Sequence, residues 1–310
     1  MNAPRQSSEQ SELFLCLNFY FSVVCNLFIF GKIEEKMEDK PGYERIKDEN
    51  FRIAVSLIDA GDTSGLENHL RRNPRLVSQH IKFDENGYFS NPCLLNFVAE
   101  NPVRQGFLPE NIVKITHIIL EAGAKQNLEQ TNYTLGLVCS GSVARECKFQ
   151  IPLINLFLSY GADANSAIPP AIAHGEFEAV EFLIEKGAKI DLVTAAGTGR
   201  TFQFQTLFSD STEKERHLAF AFAAQHGHTE ILKILLKSGA DPDRYNPEGA
   251  HMFSTPLHQA IIFGHEEIVR LLVDGGARLD LKDTIYQGTP LDWARYAKNN
   301  TIENYLLSKL

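Results

Sequence analysis

The apolar positions in the last third of the chain follow a helical period with regular breaks. In TPLHQAIIFGHEEIVRLLVDGGARLDLKD, residues 255–283, Ile268, Leu271 and Leu272 stand at i, i+3 and i+4. That spacing lays one apolar stripe along a helix. Thr255 suits an N-cap, and Pro256 suits the first helical position, where a missing N–H costs nothing. Gly264 suits the left-handed residue that ends a first helix, and Gly276 ends the second in the same way. The pattern predicts two short helices joined by a tight turn.

A pair of this size cannot bury its own stripe, so it needs neighbours, and the sequence supplies them. TPLDWARYAKNNTIENYLLSKL begins at Thr289, 34 residues after Thr255. LAFAFAAQHGHTEILKILLKSGADPD covers 218–243, and PPAIAHGEFEAVEFLIEKGAKID covers 169–191. A Gly-His pair recurs at Gly227-His228 and Gly264-His265. A glycine step closes the second helix at Gly123, Gly161, Gly187, Gly239 and Gly276, with spacings of 38, 26, 52 and 37. The earliest pair falls near 46–75, broken at Gly61-Asp62 and stopped by Asn73-Pro74. The spacing of 52 is assigned to an insertion at 192–215, expected as an extended finger carrying Phe202, Phe204 and Phe208. In the last unit Asp292 replaces the histidine of TPLH and Asn299-Asn300 replace Gly-His, so this unit is expected to cap the stack.

TPLHQA, Gly264-His265, EIVRLL and GGA resemble the ankyrin repeat. The match is strong over 218–310, moderate over 160–191 and weak over 46–160. The resemblance implies an all-α ankyrin-repeat solenoid at 37–310: stacked helix-turn-helix pairs with β-turn fingers, about six to seven repeats. It also implies that His258 is a structural group, bonded across the turn region. Proteins of this family bind partners through their fingers and the exposed edge of the first helix. By position, that gives Gln225 and Ile262-Phe263 before the turn glycines, with Tyr286 in the finger before Thr289. The long finger RYNPEGAHMFS adds Tyr245, Met252 and Phe253. Phe263, Phe253 and Tyr286 are the leading contacts, because an exposed aromatic cluster is a typical interface anchor.

Composition narrows the partner. The chain is 44% hydrophobic and 22% charged, with a formal net charge of −9. Binding nucleic acid requires a clustered basic surface, which this balance disfavours. A protein partner is expected, with the chain as a monomer and no cofactor. Five cysteines, an odd number with no CxxC spacing, point to a reduced, cytoplasmic setting.

The N-terminal segment 1–36 is a separate question. LFLCLNFYFSVVCNLFIF, residues 13–30, would reach roughly 27 Å as a helix, just enough for a hydrocarbon core. Two readings stand side by side. The run is a membrane anchor, the only route to a membrane here, with the cations after it holding the body in the cytoplasm. Alternatively the chain starts at Met37 and 1–36 is upstream sequence.

Catalytic motifs are sparse. His226-Gly227-His228 gives two imidazoles with no third ligand nearby in sequence. Gly197-Thr198-Gly199-Arg200 lacks the lysine ending of a phosphate loop. GxSxG, HExxH and DxDxDG do not occur. The expected role is an interaction module (adaptor, scaffold or inhibitor) and not an enzyme. The alternative is an enzyme or metal protein using 192–215 or the His226/His228 region.

Overall fold

A computed structural model describes residues 45–83 and 88–310. Segment 1–36, with both readings of it, lies outside the described residues. No described helix is long and apolar enough to cross a membrane. The chain divides into two units, met here as 45–189 and 190–310. Helix pairs build both, and no β-strand forms among the described residues.

In the first unit, α1 (Glu49–Asp59) pairs with α2 (Thr63–Arg72). A 3-10 segment, Leu94–Ala99, takes the place of an inner helix before α3 (Ile112–Glu121). Next come α4 (Leu128–Ser140), the short α5 (Ser142–Glu146) and α6 (Gln150–Ser159). The last pair is α7 (Ala164–Ala173) and α8 (Phe177–Glu185). Helix α4 packs on the 3-10 segment and on α7, while α6 packs on α3 and α8.

The second unit holds α9 (Leu192–Gly197) with α10 (Thr201–Phe208), and α11 (Glu213–Gln225) with α12 (Thr229–Lys237). It ends with α13 (Pro256–Ile262) and α14 (Glu266–Asp274), then α15 (Pro290–Tyr296) and α16 (Asn300–Leu307). Inner helices α9, α11, α13 and α15 pack in sequence, and so do outer helices α10, α12, α14 and α16. Alanines on α11, α13 and α15 let these inner helices approach: Ala219, Ala221, Ala223, Ala224, Ala260 and Ala294 are fully or almost fully buried. The outer helices bring the bulk, with Ile231, Leu232 and Leu235, then Ile268, Val269 and Leu272, then Ile302 and Leu306. Each of these sets follows the i, i+3, i+4 pattern of a core-facing stripe, wholly or in part.

Among the described residues eight pairs form, close to the six to seven expected. The added pair is α9 and α10. Residues 192–208, expected as an extended finger, are an ordinary helix pair. Gly199 takes the left-handed turn at φ +71° and Phe204 is fully buried. The pair hid in the sequence because α10 closes on Ser209 in an α-region conformation, without the glycine step that marks its neighbours.

One residue after Gly227 and after Gly264, a histidine reaches back to the preceding pair. His228 Nε2 donates to the Gly197 carbonyl at 3.0 Å, and His265 Nε2 donates to the Gln225 carbonyl at 2.9 Å. Each ring lies over the glycine of the pair before it. A Cβ built on Gly227 would sit 2.7 Å from His265 Nδ1. Gly227 also has φ +78°, which a side chain strains. Gly227→Ala should therefore lose about 2–3 kcal/mol of stability, read as a lower denaturation midpoint in urea. An unchanged midpoint would show that the ring moves aside at no cost.

Candidate functional site

The fingers of 190–310 are built on buried polar groups. Asp283 has no exposed surface, yet its carboxylate is fully used. Oδ1 accepts from the backbone amides of Ile285 at 2.9 Å and Tyr286 at 2.5 Å. Oδ2 accepts from the Gly288 amide at 2.9 Å and from Trp293 Nε1 at 3.0 Å. A charged acceptor bonded four times fixes the finger's shape, because leaving any of these donors dry would be costly. The finger tip, Ile285 and Tyr286, is left in solvent at 42% and 44% exposure.

The longer finger 244–254 is tied to this one. The Thr284 amide donates to the Phe253 carbonyl at 2.8 Å, and Tyr245 Oη donates to the Lys282 carbonyl at 2.5 Å. Beneath them lies the TPLH histidine, His258, with no exposed surface. Its Nδ1 accepts from the Thr255 amide at 3.3 Å and its Nε2 donates to the Gly288 carbonyl at 3.2 Å. The Trp293 ring stands edge-on to it, centroids 5.0 Å apart. In the last pair Asp292 closes the same capping box on Thr289 that His258 closes on Thr255.

The expected contact residues divide. Phe263 and Met252 are exposed, as is Tyr286, while Ile262 and Tyr245 are half-buried. Phe253 and Gln225 are buried, at 3% and 1% exposure, and neither can offer its side chain to a partner. Phe253 fills the space between fingers, edge-on to Tyr286 and against Trp293. Gln225 lies on α11, which is covered on both sides by α9 and α13. The expected aromatic cluster is also split. Tyr286 joins Phe253 in the fingers, whereas Phe263 sits at the far end of α13 against His226 and His265.

Sequence reasoning missed Tyr296. It occupies on α15 the position of Ile262 on α13, counted from Thr289 and Thr255, and it is 45% exposed. Burial, the Asp283 charge and the Tyr296 phenol together push the Tyr286 phenol above its usual range. The signal was available: an aromatic at the inner-helix position equivalent to Ile262.

His226 and His228 lie with ring centroids 6.3 Å apart, and His228 Nε2 is engaged by the Gly197 carbonyl. Among the described residues no three His, Cys, Asp or Glu side chains converge as metal ligands. In 192–215, Phe202 is 78% exposed, Phe204 is buried and Phe208 is half-buried beneath the Arg216 guanidinium.

Repeated helix pairs with ordered fingers and exposed aromatic tips define an interaction module. The chain belongs to the ankyrin-repeat family: the profile for three ankyrin repeat copies matches 142–246 and 220–310. It is 29% identical over 182 residues to a probable E3 ubiquitin-protein ligase of Oryza sativa subsp. japonica, covering 46% of this chain and 36% of that protein. A putative ankyrin repeat protein of fowlpox virus is 40% identical over 74 residues, 23% of this chain and 16% of that one. The cyclin-dependent kinase 4 inhibitor B of Rattus norvegicus is 26% identical over 146 residues, 47% of this chain and 94% of that one. The chain thus spans little more than a third, or less, of the first relatives it matches. The solved ankyrin repeat domain of human ASB11 covers 70% of this chain and 97% of its own, at 21% identity and a TM-score of 0.35.

The His258 site makes stability depend on pH. Burial holds the imidazole's pKa down, to about 4, against an ordinary 6.5. The folded state therefore binds the proton more weakly than the unfolded chain. Stability is full above about pH 6.5 and falls between there and pH 4, by up to about 3 kcal/mol. Urea unfolding at pH 7.5 and pH 5 should show a stability difference that shrinks in His258→Gln. An equal difference in the variant would assign the pH dependence to other groups.

Proposed function

We propose that the chain is an adaptor, scaffold or inhibitor that holds a protein partner on the fingers and inner-helix ends of 190–310. Tyr286 and Tyr296 are its anchors, with Ile285, Met252, Ile262 and Phe263 around them. The observation that carries this reading is the contrast at the finger. An exposed Ile285-Tyr286 tip stands on a base that is fully bonded at Asp283 and packed by Phe253 and Trp293. A tip already held in one shape loses little entropy on binding. Tyrosine adds amphipathic contact area with few rotatable bonds. Relatives named as a kinase inhibitor and as a probable ubiquitin ligase support a role exercised by holding another protein. The proposed compartment is the cytoplasm, in keeping with the buried free thiols Cys93 and Cys139.

Affinity capture from native extract with the full chain tests the site. The comparison bait carries Tyr286→Asp and Tyr296→Asp, each bait first shown to be folded by circular dichroism. A partner held by the wild type should bind the double variant at least about tenfold more weakly, since each change places a charge at a desolvated contact. A partner held equally by both baits moves the site away from the fingers.

A further inference from the structure

The first unit carries a protrusion that the repeat itself does not need. In the same unit α1–α2 and α7–α8 turn within three residues, Ala60–Asp62 and His174–Glu176, and the longer connection of α4 to α6 is filled by helix α5. Between Ala99 and Ile112 the chain spends twelve. Long loops in compact repeats concentrate function.

This loop is held as firmly as a core. The Glu100 carboxylate accepts from the backbone amides of Arg104, at 2.6 Å, and of Gln105 and Gly106. The Arg104 side chain, 4% exposed, forks onto both Asp59 oxygens at 2.8 Å, pairs with Glu100 and lies over the Phe97 ring. Asn101 donates to the Leu137 carbonyl and the Ser140 hydroxyl, and Asn111 donates to the Gly61 carbonyl at 2.7 Å. Pro102 and Leu108 are buried at its two sides. The apex, Gln105-Gly106-Phe107, is nevertheless exposed, Phe107 to 51%. So much buried polar bonding orders a loop whose aromatic tip contributes little to its own core.

We infer that loop 100–111 is a second docking element, whose Phe107 enters an apolar pocket with a basic rim on a partner protein. Charge selects that partner. The loop and the Asp59–Asp62 turn beside it hold four carboxylates, Asp59, Asp62, Glu100 and Glu110, against one guanidinium, Arg104, a net −3. The exposed charges there are Asp62 and Glu110, both acidic. An anionic bilayer would be repelled, and a second copy would bring the same sign against itself. A pocket ringed by Lys or Arg is attracted while it takes the ring.

The test uses the full chain with Phe107→p-benzoylphenylalanine, photo-cross-linked in native extract, with the attached peptide identified. The protein found is then purified and titrated with wild type, Phe107→Ala, Glu110→Lys and the Tyr286→Asp/Tyr296→Asp double variant. Support requires five results together. The cross-link falls in an apolar pocket flanked by Lys or Arg. Phe107→Ala weakens binding at least about tenfold. Glu110→Lys weakens it several-fold, and binding falls as NaCl rises from about 0.05 to about 0.5 M. The tyrosine double variant binds as the wild type does, so failure of the finger site and failure of this one are told apart. The inference is overturned by cross-links only to lipid or to a second copy, by no cross-link, or by a partner indifferent to Phe107→Ala. Because the ring is half-exposed, Phe107→Ala should leave the unfolding midpoint unchanged. If it does not, Glu110→Lys decides the matter from the rim alone.

Discussion

The described helix pairs depend on one constraint: no single pair can bury its own apolar stripe. Within each unit a pair is completed by the next, so the interface between pairs is the core, and the polar groups at the turns must be satisfied across it. The turn histidines do this in 190–310. His228 and His265 each place one ring nitrogen on a carbonyl of the preceding pair and lay the ring over that pair's glycine. One residue type thus supplies both the hydrogen bond and the packing surface. It also fixes the spacing of neighbouring pairs, because a strut of fixed length leaves little freedom in the stack.

The same constraint explains the exceptions. At the corresponding position in α7–α8 stands Glu176, buried and with its pKa raised first of all by that burial. A carboxylate cannot donate to a carbonyl, so the chain supplies donors instead. Arg145, on the extra helix α5, and Gln150 both bond to it. Helix α5 therefore has a structural account: it carries the cation that makes a buried Glu176 tolerable. In the last pair Asn299 occupies the position and caps α16, its side-chain oxygen accepting from the Ile302 amide.

Legibility in the sequence tracked these constraints. TPLH, Gly-His and the closing glycine steps were readable because backbone geometry and buried bonding leave few residue choices there. The α9–α10 pair was not readable, since Ser209 closes it without a glycine and its turn carries Arg200 where a histidine would mark it. Contact residues were readable only by position. Position alone could not tell that Phe253 folds inward between two fingers while Tyr286 stays out, because both are aromatic residues in finger sequence. Nor could it show that Gln225 is buried while Tyr296, two pairs later, is exposed. Exposure at such positions depends on which neighbours exist, and that is a property of the stack, not of the residue.

Rigid bases under exposed tips recur in both units with different chemistry. In 190–310 a carboxylate, Asp283, gathers two finger amides, the Gly288 amide and an indole, and presents Ile285 and Tyr286. In 45–189 another carboxylate, Glu100, gathers three loop amides and a guanidinium, and Phe107 stands at the apex. In both, an anion organises successive backbone amides that would otherwise lie in an irregular segment without partners. Such an arrangement frees the tip from any part in holding the loop together, so its side chain can be chosen for what it touches. That separation, a fixed polar base and an unconstrained apolar tip, is what lets a repeat of uniform architecture carry binding surfaces that differ from one turn to the next.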